Sequence, residues 1–311
     1  MTDVTVSRLG QVNLSGEDNA LFQQIFAGEI LTTFNQECVY QDKHVIREIP
    51  NGKSAEFPAT GTIKAGYHKP GTMLQGTPIA HNKRVIVIDD LLVADTYIAN
   101  IDEAKNHYDV RAEYSKQIGQ ALALAFDRNV ARVGVLAARD AATLTGGFGG
   151  SQIVGGANIK TDGVAIGKAM FAAAQVLDEK NVPSADRYAF MSPATYYAAA
   201  AEKTLINKDW NGAGSLAAGT IDTVAGIKIV KTNSLPATDE TGDNEIPQKY
   251  RGDFSKTAFS VFHRGAVGTA RLLNLAMDQQ YLATHQATLL VAKYALGHGI
   301  LRPECAIEVT E

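Results

Sequence analysis

Residues 101–138 carry apolar side chains at helical spacing over about ten turns. Val110, Tyr114, Ile118, Ala121, Leu122, Ala125, Val133 and Leu136 recur mostly every three or four positions, which gathers them on one stripe of an α-helix. Glu103, Arg111, Glu113, Lys116, Asp127, Arg128 and Arg132 fall on the other faces. Asp102 is the expected N-cap, its carboxylate accepting from a free amide of the first turn. Gly119 and Gly134 weigh against the helix, each costing up to about 1 kcal/mol relative to Ala. At 1.5 Å per residue such a helix spans roughly 55 Å. A compact chain of this length has a diameter of about 50 Å, so the pattern predicts a thin subunit rather than a ball.

The rest of the chain changes period several times. Residues 1–15 are polar and weakly patterned, and read as an arm. Ser15 caps a short helix bearing Leu21, Phe22, Ile25, Phe26 and Ile30. From His44 the pattern becomes extended: Val45, Ile46 and Ile49 lead into the turn Pro50-Asn51-Gly52, and Ala55-Glu56-Phe57 resumes beyond it. The β-branched run 84–89 is the clearest strand of this half. Between them, Pro58, Gly61, Gly66, Pro70, Gly71, Gly76 and Pro78 punctuate a stretch with few large apolar residues. A loop of about twenty residues is uncommon in a compact domain unless it has a function or is mobile. The reading is a projecting hairpin that finds its core on a neighbouring subunit, with a disordered surface loop as the alternative.

After the long helix, residues 145–156 read as a Gly-rich linker. Asp162 opens an amphipathic helix through Ile166, Ala169, Met170, Ala173, Val176 and Leu177, stopped near Pro183. Residues 187–191 read as a strand, and Ser192-Pro193 starts an Ala-rich helix. Strands are expected at 226–230, 258–262, 269–275, 287–295 and 306–309, with a polar loop at 237–252. Mixed order of helices and strands points to an α+β fold.

The chain has 311 residues and a net charge of −4, its 29 basic residues scattered among 33 acidic ones. Gripping DNA by its phosphates needs a basic patch, so specific nucleic-acid binding is disfavoured. Loose enclosure of DNA needs no grip and stays open. No apolar run is long enough to span a bilayer, and Met1-Thr2-Asp3-Val4 opens without the basic and apolar regions of a secretory signal. The two cysteines, Cys38 and Cys305, have no metal-ligand spacing and are expected to be buried thiols.

Catalytic motifs fail on inspection. Gly52-Lys53-Ser54 has the tail of a phosphate-binding loop, but Arg47 stands where its first glycine belongs. After the Gly-rich run 146–150, Gln152 stands where a dinucleotide fingerprint needs its third glycine. None of the seven histidines makes a metal-binding spacing, and His107 and His298 read as packing or turn residues. No catalytic residue, cofactor or metal ligand is therefore assigned.

Several blocks carry a resemblance. They include Ala20-Leu21-Phe22 with Gly28-Glu29-Ile30-Leu31-Thr32, Gly52-Lys53-Ser54-Ala55 with Phe57-Pro58, and Asn106-His107-Tyr108-Asp109-Val110-Arg111. Val182-Pro183, Ala185-Asp186-Arg187 and His263-Arg264 with Ala266-Val267-Gly268-Thr269 add to them. So do Ala292-Lys293-Tyr294-Ala295, Gly297-His298-Gly299 and Leu301-Arg302-Pro303-Glu304. Together they resemble the major capsid protein of short-tailed phages of the T-seven-like group, whose architecture is the Hong Kong 97-like phage capsid fold.

The resemblance implies an N-terminal arm and short helix at 1–43 and an extended loop at 44–90. It implies a peripheral domain at 91–185 with the spine helix 101–138, an axial domain at 186–264, and shared C-terminal strands at 265–311. The implied role is a non-enzymatic subunit that assembles as hexamers and pentamers on a T=7 icosahedral lattice around double-stranded DNA. Scaffolding and portal proteins are the implied partners, with room for a decoration protein and none for a membrane. The implied location is the virion, after assembly in the bacterial cytoplasm. Phe57, Lys64, Tyr67, Lys69, Met73 and Arg302 are the candidate intersubunit contacts. A soluble α+β enzyme with a site dispersed in sequence is the competing reading, and a DNA-packaging accessory factor is a weaker third.

Overall fold

A mixed six-stranded sheet organises the larger part of the computed structural model, which describes residues 30, 32–34, 37–61, 63, 65–71, 73, 76, 78–99, 110–202 and 219–311. The chain forms two units. One comprises Met1–Cys38, Asp89–Phe126 and Leu272–Leu296; the other comprises Val39–Ile88, Asp127–Arg271 and Gly297–Glu311.

In chain order the strands are β1 (Val45–Glu48), β2 (Ser54–Thr60), β3 (His81–Val87), β4 (Leu92–Ala99), β5 (Ser151–Val154) and β6 (Arg187–Met191). They continue as β7 (Thr223–Val224), β8 (Ile227–Lys231), β9 (Thr257–His263), β10 (Val267–Leu282), β11 (Ala287–Ile300) and β12 (Ala306–Thr310). The helices are α1 (Val110–Arg139), α2 (Gly163–Glu179) and α3 (Pro193–Ala201).

The sheet of the larger unit runs β5-β12-β9-β6-β8-β7. Strand β9 is buried along nearly its whole length, without polar alternation, as expected of a strand covered on both faces. Its Phe262 ring stacks on Phe190 of β6 at 4.6 Å, and Phe190 stacks on Tyr40 at 4.2 Å. The C-terminal half of α1 brings Val130, Val133 and Ala137 to this core. Gly134 belongs there because a Cβ would lie 2.7 Å from the Phe262 ring. Helix α2 starts at Asp162, whose carboxylate accepts the Val164 amide, and stops where Asn181 takes a left-handed φ of 56° ahead of Pro183. Helix α3 starts as expected, with the Ser192 hydroxyl accepting from the Thr195 amide and Pro193 in the first turn.

In the smaller unit, β4 lies antiparallel to β11, from Ala99 opposite Ala287 to Leu92 opposite Tyr294. Phe34 sits edge-on to Phe126 of α1 at 5.8 Å and to Tyr294 of β11 at 5.6 Å. Gly119 allows close approach, since a Cβ would sit 3.0 Å from the Ile30 carbonyl and from Thr33.

Four expectations change. The supposed linker 145–156 contains β5, which pairs in parallel with β12. Strand β4 was not anticipated. Asp127, assigned to a polar face, is 2% exposed, and Cys38 is half-buried while Cys305 is buried. Residues 101–109, with Asp102 and His107, lie outside the described residues, as do Ser15, Leu21, Phe22, Ile25 and Phe26.

Candidate intersubunit surface

The hairpin β2–β3 is built on a firm root. Its register runs from Ser54 opposite Val87 to Thr60 opposite His81. Ala55, Ile86 and Ala270 form a small buried cluster, with Ile49, Phe57, Ile88 and Leu301 packed against it. Polar bonds add to the apolar anchor. Arg84 donates to Thr143 Oγ1 at 3.0 Å and pairs with Asp140 at 2.7 Å, and Asn82 donates to the Thr143 carbonyl. Lys249 donates to the Val87 carbonyl at 2.8 Å. Strand β11 approaches so closely that a Cβ on Gly297 would lie 2.2 Å from the Val87 carbonyl oxygen, and one on Gly299 would lie 2.8 Å from the Ile86 side chain. The Gly297-His298-Gly299 block thus exists to let β3 pass.

Beyond Thr60 the anchor ends. Ile63 is 61% exposed, Tyr67 108% and Met73 90%. From Phe57 to Ile88 there is no acidic residue, while Lys64, Lys69, Lys83 and Arg84 are basic. A segment that is basic and exposes large apolar side chains at its described residues is a surface suited to a partner.

The candidate contacts fall into two groups. Tyr67, Lys69 and Met73 lie on the exposed distal segment, whereas Lys64 is outside the described residues. Phe57 and Arg302 come together at the root, where they line a cleft of about 390 Å3 with Leu144, Phe148, Leu301 and Glu304. Arg302 is exposed there and donates to Glu304 at 2.7 Å. Arg47 covers the Phe57 ring at 5.5 Å. Sequence reasoning missed Arg84, Asn82 and Thr143, because about sixty residues separate the partners; only the fold brings them together.

Buried charge elsewhere in the larger unit braces the scaffold. Glu308 on β12 is 0% exposed, and accepts from Arg139 at 2.6 and 2.7 Å, from Thr257 and from Gln152. Burial pushes its pKa up, but these hydrogen bonds together outweigh burial and hold the carboxyl below the ordinary glutamate value. Among the described residues, no group of three or more His, Cys, Asp or Glu is placed to hold a metal ion. No described helix is long and apolar enough to cross a membrane.

Known proteins share both the sequence and the fold. The Gp10A-like major capsid protein family matches residues 56–310. The major capsid protein of Enterobacteria phage T3 is 35% identical over 96% of this chain and 93% of its own length. That of Escherichia phage T7 is 35% identical over 94% and 92%. The capsid structure of cyanophage P-SCSP1u superposes with a TM-score of 0.80 at 40% identity, covering 99% of both chains. The mature capsid of bacteriophage PhiM1 has the same fold, with a TM-score of 0.73 at 19% identity over 88% of this chain and 86% of its own. With an α+β fold shared with phage capsids and a family match over most of its length, this chain belongs to the Gp10A-like family of phage major capsid proteins.

Proposed function

We propose that the chain builds an icosahedral T=7 shell from hexamers and pentamers of itself, around double-stranded DNA and with no catalytic role. The observation that carries this reading is the hairpin, rooted in its own subunit and exposing Ile63, Tyr67 and Met73 at its far end. Segment 44–90 acts as the extended loop that straps one subunit to the next. Residues 91–185 serve as the peripheral domain and 186–264 as the axial domain, with 265–311 shared between them. Scaffolding protein and portal are the assembly partners, the host cytoplasm is the place of assembly, and the T-seven-like short-tailed phages are the type of virus. A net charge of −4 suits a wall that holds DNA without gripping it, because strong phosphate contacts would oppose release.

Electron microscopy of the purified protein, co-expressed with scaffolding protein, tests the reading. Closed shells of uniform size are expected. A small fixed oligomer under every assembly condition would sink it and favour the enzyme reading.

A further inference from the structure

His44 and His298 are each 1% exposed, and both reach the buried hydroxyl of Thr269. His44 Nε2 lies 2.8 Å from Thr269 Oγ1, and Thr269 Oγ1 lies 2.8 Å from His298 Nδ1. His44 Nδ1 also lies 2.7 Å from the Tyr40 carbonyl oxygen. That carbonyl sets the direction of the whole chain. A carbonyl oxygen only accepts, so His44 Nδ1 carries a hydrogen, and in a neutral ring its Nε2 is then an acceptor. It receives the one hydrogen of Thr269. The Thr269 oxygen must accept on its other side, so His298 donates from Nδ1.

That assignment requires the His44 ring to be neutral. A proton added to His44 Nε2 would turn it into a second donor aimed at the same hydroxyl, and the Thr269 hydrogen would lose its acceptor. The surroundings oppose the proton too. Arg264, which donates to the His44 carbonyl at 3.4 Å, and Arg271 face His44, and Asp42 supplies opposing negative charge. Lys249 faces His298, whose ring lies 5.9 Å from that of Tyr250; the Tyr250 hydroxyl accepts the His298 amide N–H at 2.9 Å.

The chain sits at a mechanical junction. His44 immediately precedes β1, an edge strand whose partner is β10, through Val45–Glu48 opposite residues 268–271. Strand β1 leads directly into the hairpin. We propose that His44, Thr269 and His298 form a proton-sensitive latch that holds β1, and the hairpin root it carries, on β10 while the His44 ring is neutral. Burial depresses the His44 pKa to about 4 and puts that of His298 well below the usual histidine range. The folded-state value of His44 lies below that of the opened state. The latch is therefore complete above the ordinary histidine pKa of about 6.5, and is lost as pH falls toward about 4. The further consequence, that acid slackens an intersubunit strap, rests on the strap reading above; the latch itself does not.

Hydrogen–deuterium exchange of the purified full-length protein, corrected for intrinsic rates, tests it. If opening takes up one proton, protection of 45–49 and 268–271 should fall about tenfold from pH 6 to pH 5. Protection of β6 and β9 should hold. The double variant His44→Gln, His298→Asn keeps an acceptor and a donor for Thr269 but takes up no proton, so its protection should stay flat over that interval. Equal loss in the double variant, or none in the wild type, overturns the latch. Should the variant fail to fold, imidazole 15N shifts of the wild type at pH 7 decide. An Nδ1–H on both rings and a neutral His44 are expected; a neutral Nε2–H tautomer on either ring, or an imidazolium at His44, overturns the proposal.

Discussion

Asp127 shows how far a single side chain can depart from its place in a pattern. On a helical wheel it falls among charged residues, yet it is buried and its carboxylate accepts the backbone amides of Val39 at 2.7 Å and Tyr40 at 3.2 Å. Burial raises its pKa to about 6, against the lowering effect of those hydrogen bonds and of Lys43. Its contribution to stability is therefore fully present only in acid, below its ordinary pKa, and is lost as pH rises through about 6. Glu308 has the opposite sign. Its pKa is depressed, so its contribution is present above about 4.5 and disappears as pH falls through its folded value. Glu308→Gln should destabilise the subunit by about 2 kcal/mol at pH 7, less than for a fully buried pair because Arg139 keeps some solvent. Urea unfolding at several pH values checks this: the gap between wild type and variant should narrow below pH 4.5. A gap that stays constant into stronger acid would refute the role given to the carboxylate.

At the level of elements, helix α1 reverses the usual sense of a glycine. Gly→Ala inside a helix normally stabilises by up to about 1 kcal/mol. Gly134→Ala should instead destabilise by roughly 1–3 kcal/mol, because the added methyl meets the Phe262 ring in a packed core. Ile118→Asp should be worse and remove most native helicity, since Ile118 is 6% exposed and an unpaired buried charge costs several kcal/mol. Thermal unfolding followed by circular dichroism separates the three proteins; a Gly134→Ala variant as stable as wild type would contradict the packing argument. The same logic explains β5. Gly150 is required because a Cβ would lie 2.3 Å from the Ala138 carbonyl oxygen, so glycines that look like slack in the sequence mark a tight approach. Strand β4 escaped notice for a different reason. Its inward positions include Ala94 and Thr96 beside Leu92 and Ile98, while Val93 and Tyr97 point out, which blurs the alternation that marks a strand.

For the whole molecule, the hairpin divides folding from assembly. Its root is buried within its own unit, whereas the described residues beyond Thr60 bury almost nothing. Replacing 59–80 with a short Gly/Ser linker should leave a soluble subunit of near-native helicity that no longer closes shells. Circular dichroism and particle imaging on the same preparation decide the matter. The strap idea fails if the monomer unfolds, or if normal closed shells still form.

Local pattern alone determined the helices at 163–179 and 193–201 and the strand at 187–191, together with the scarcity of large apolar residues at 59–80. Those features depend on neighbours a few residues away: a capping Ser192 or Asp162, a helical stop before Pro183, a Gly/Pro-punctuated run with few large apolar side chains. The tertiary structure alone decided that Asp127 is an interior acceptor, that Gly134 and Gly297 are contact points, and that Arg84 pins β3 to Thr143 and Asp140. It alone joined His44 to His298 through Thr269. Each of these depends on groups brought together from distant parts of the chain. A burial cost or a hydrogen bond between such groups leaves no periodic trace in the sequence on either side.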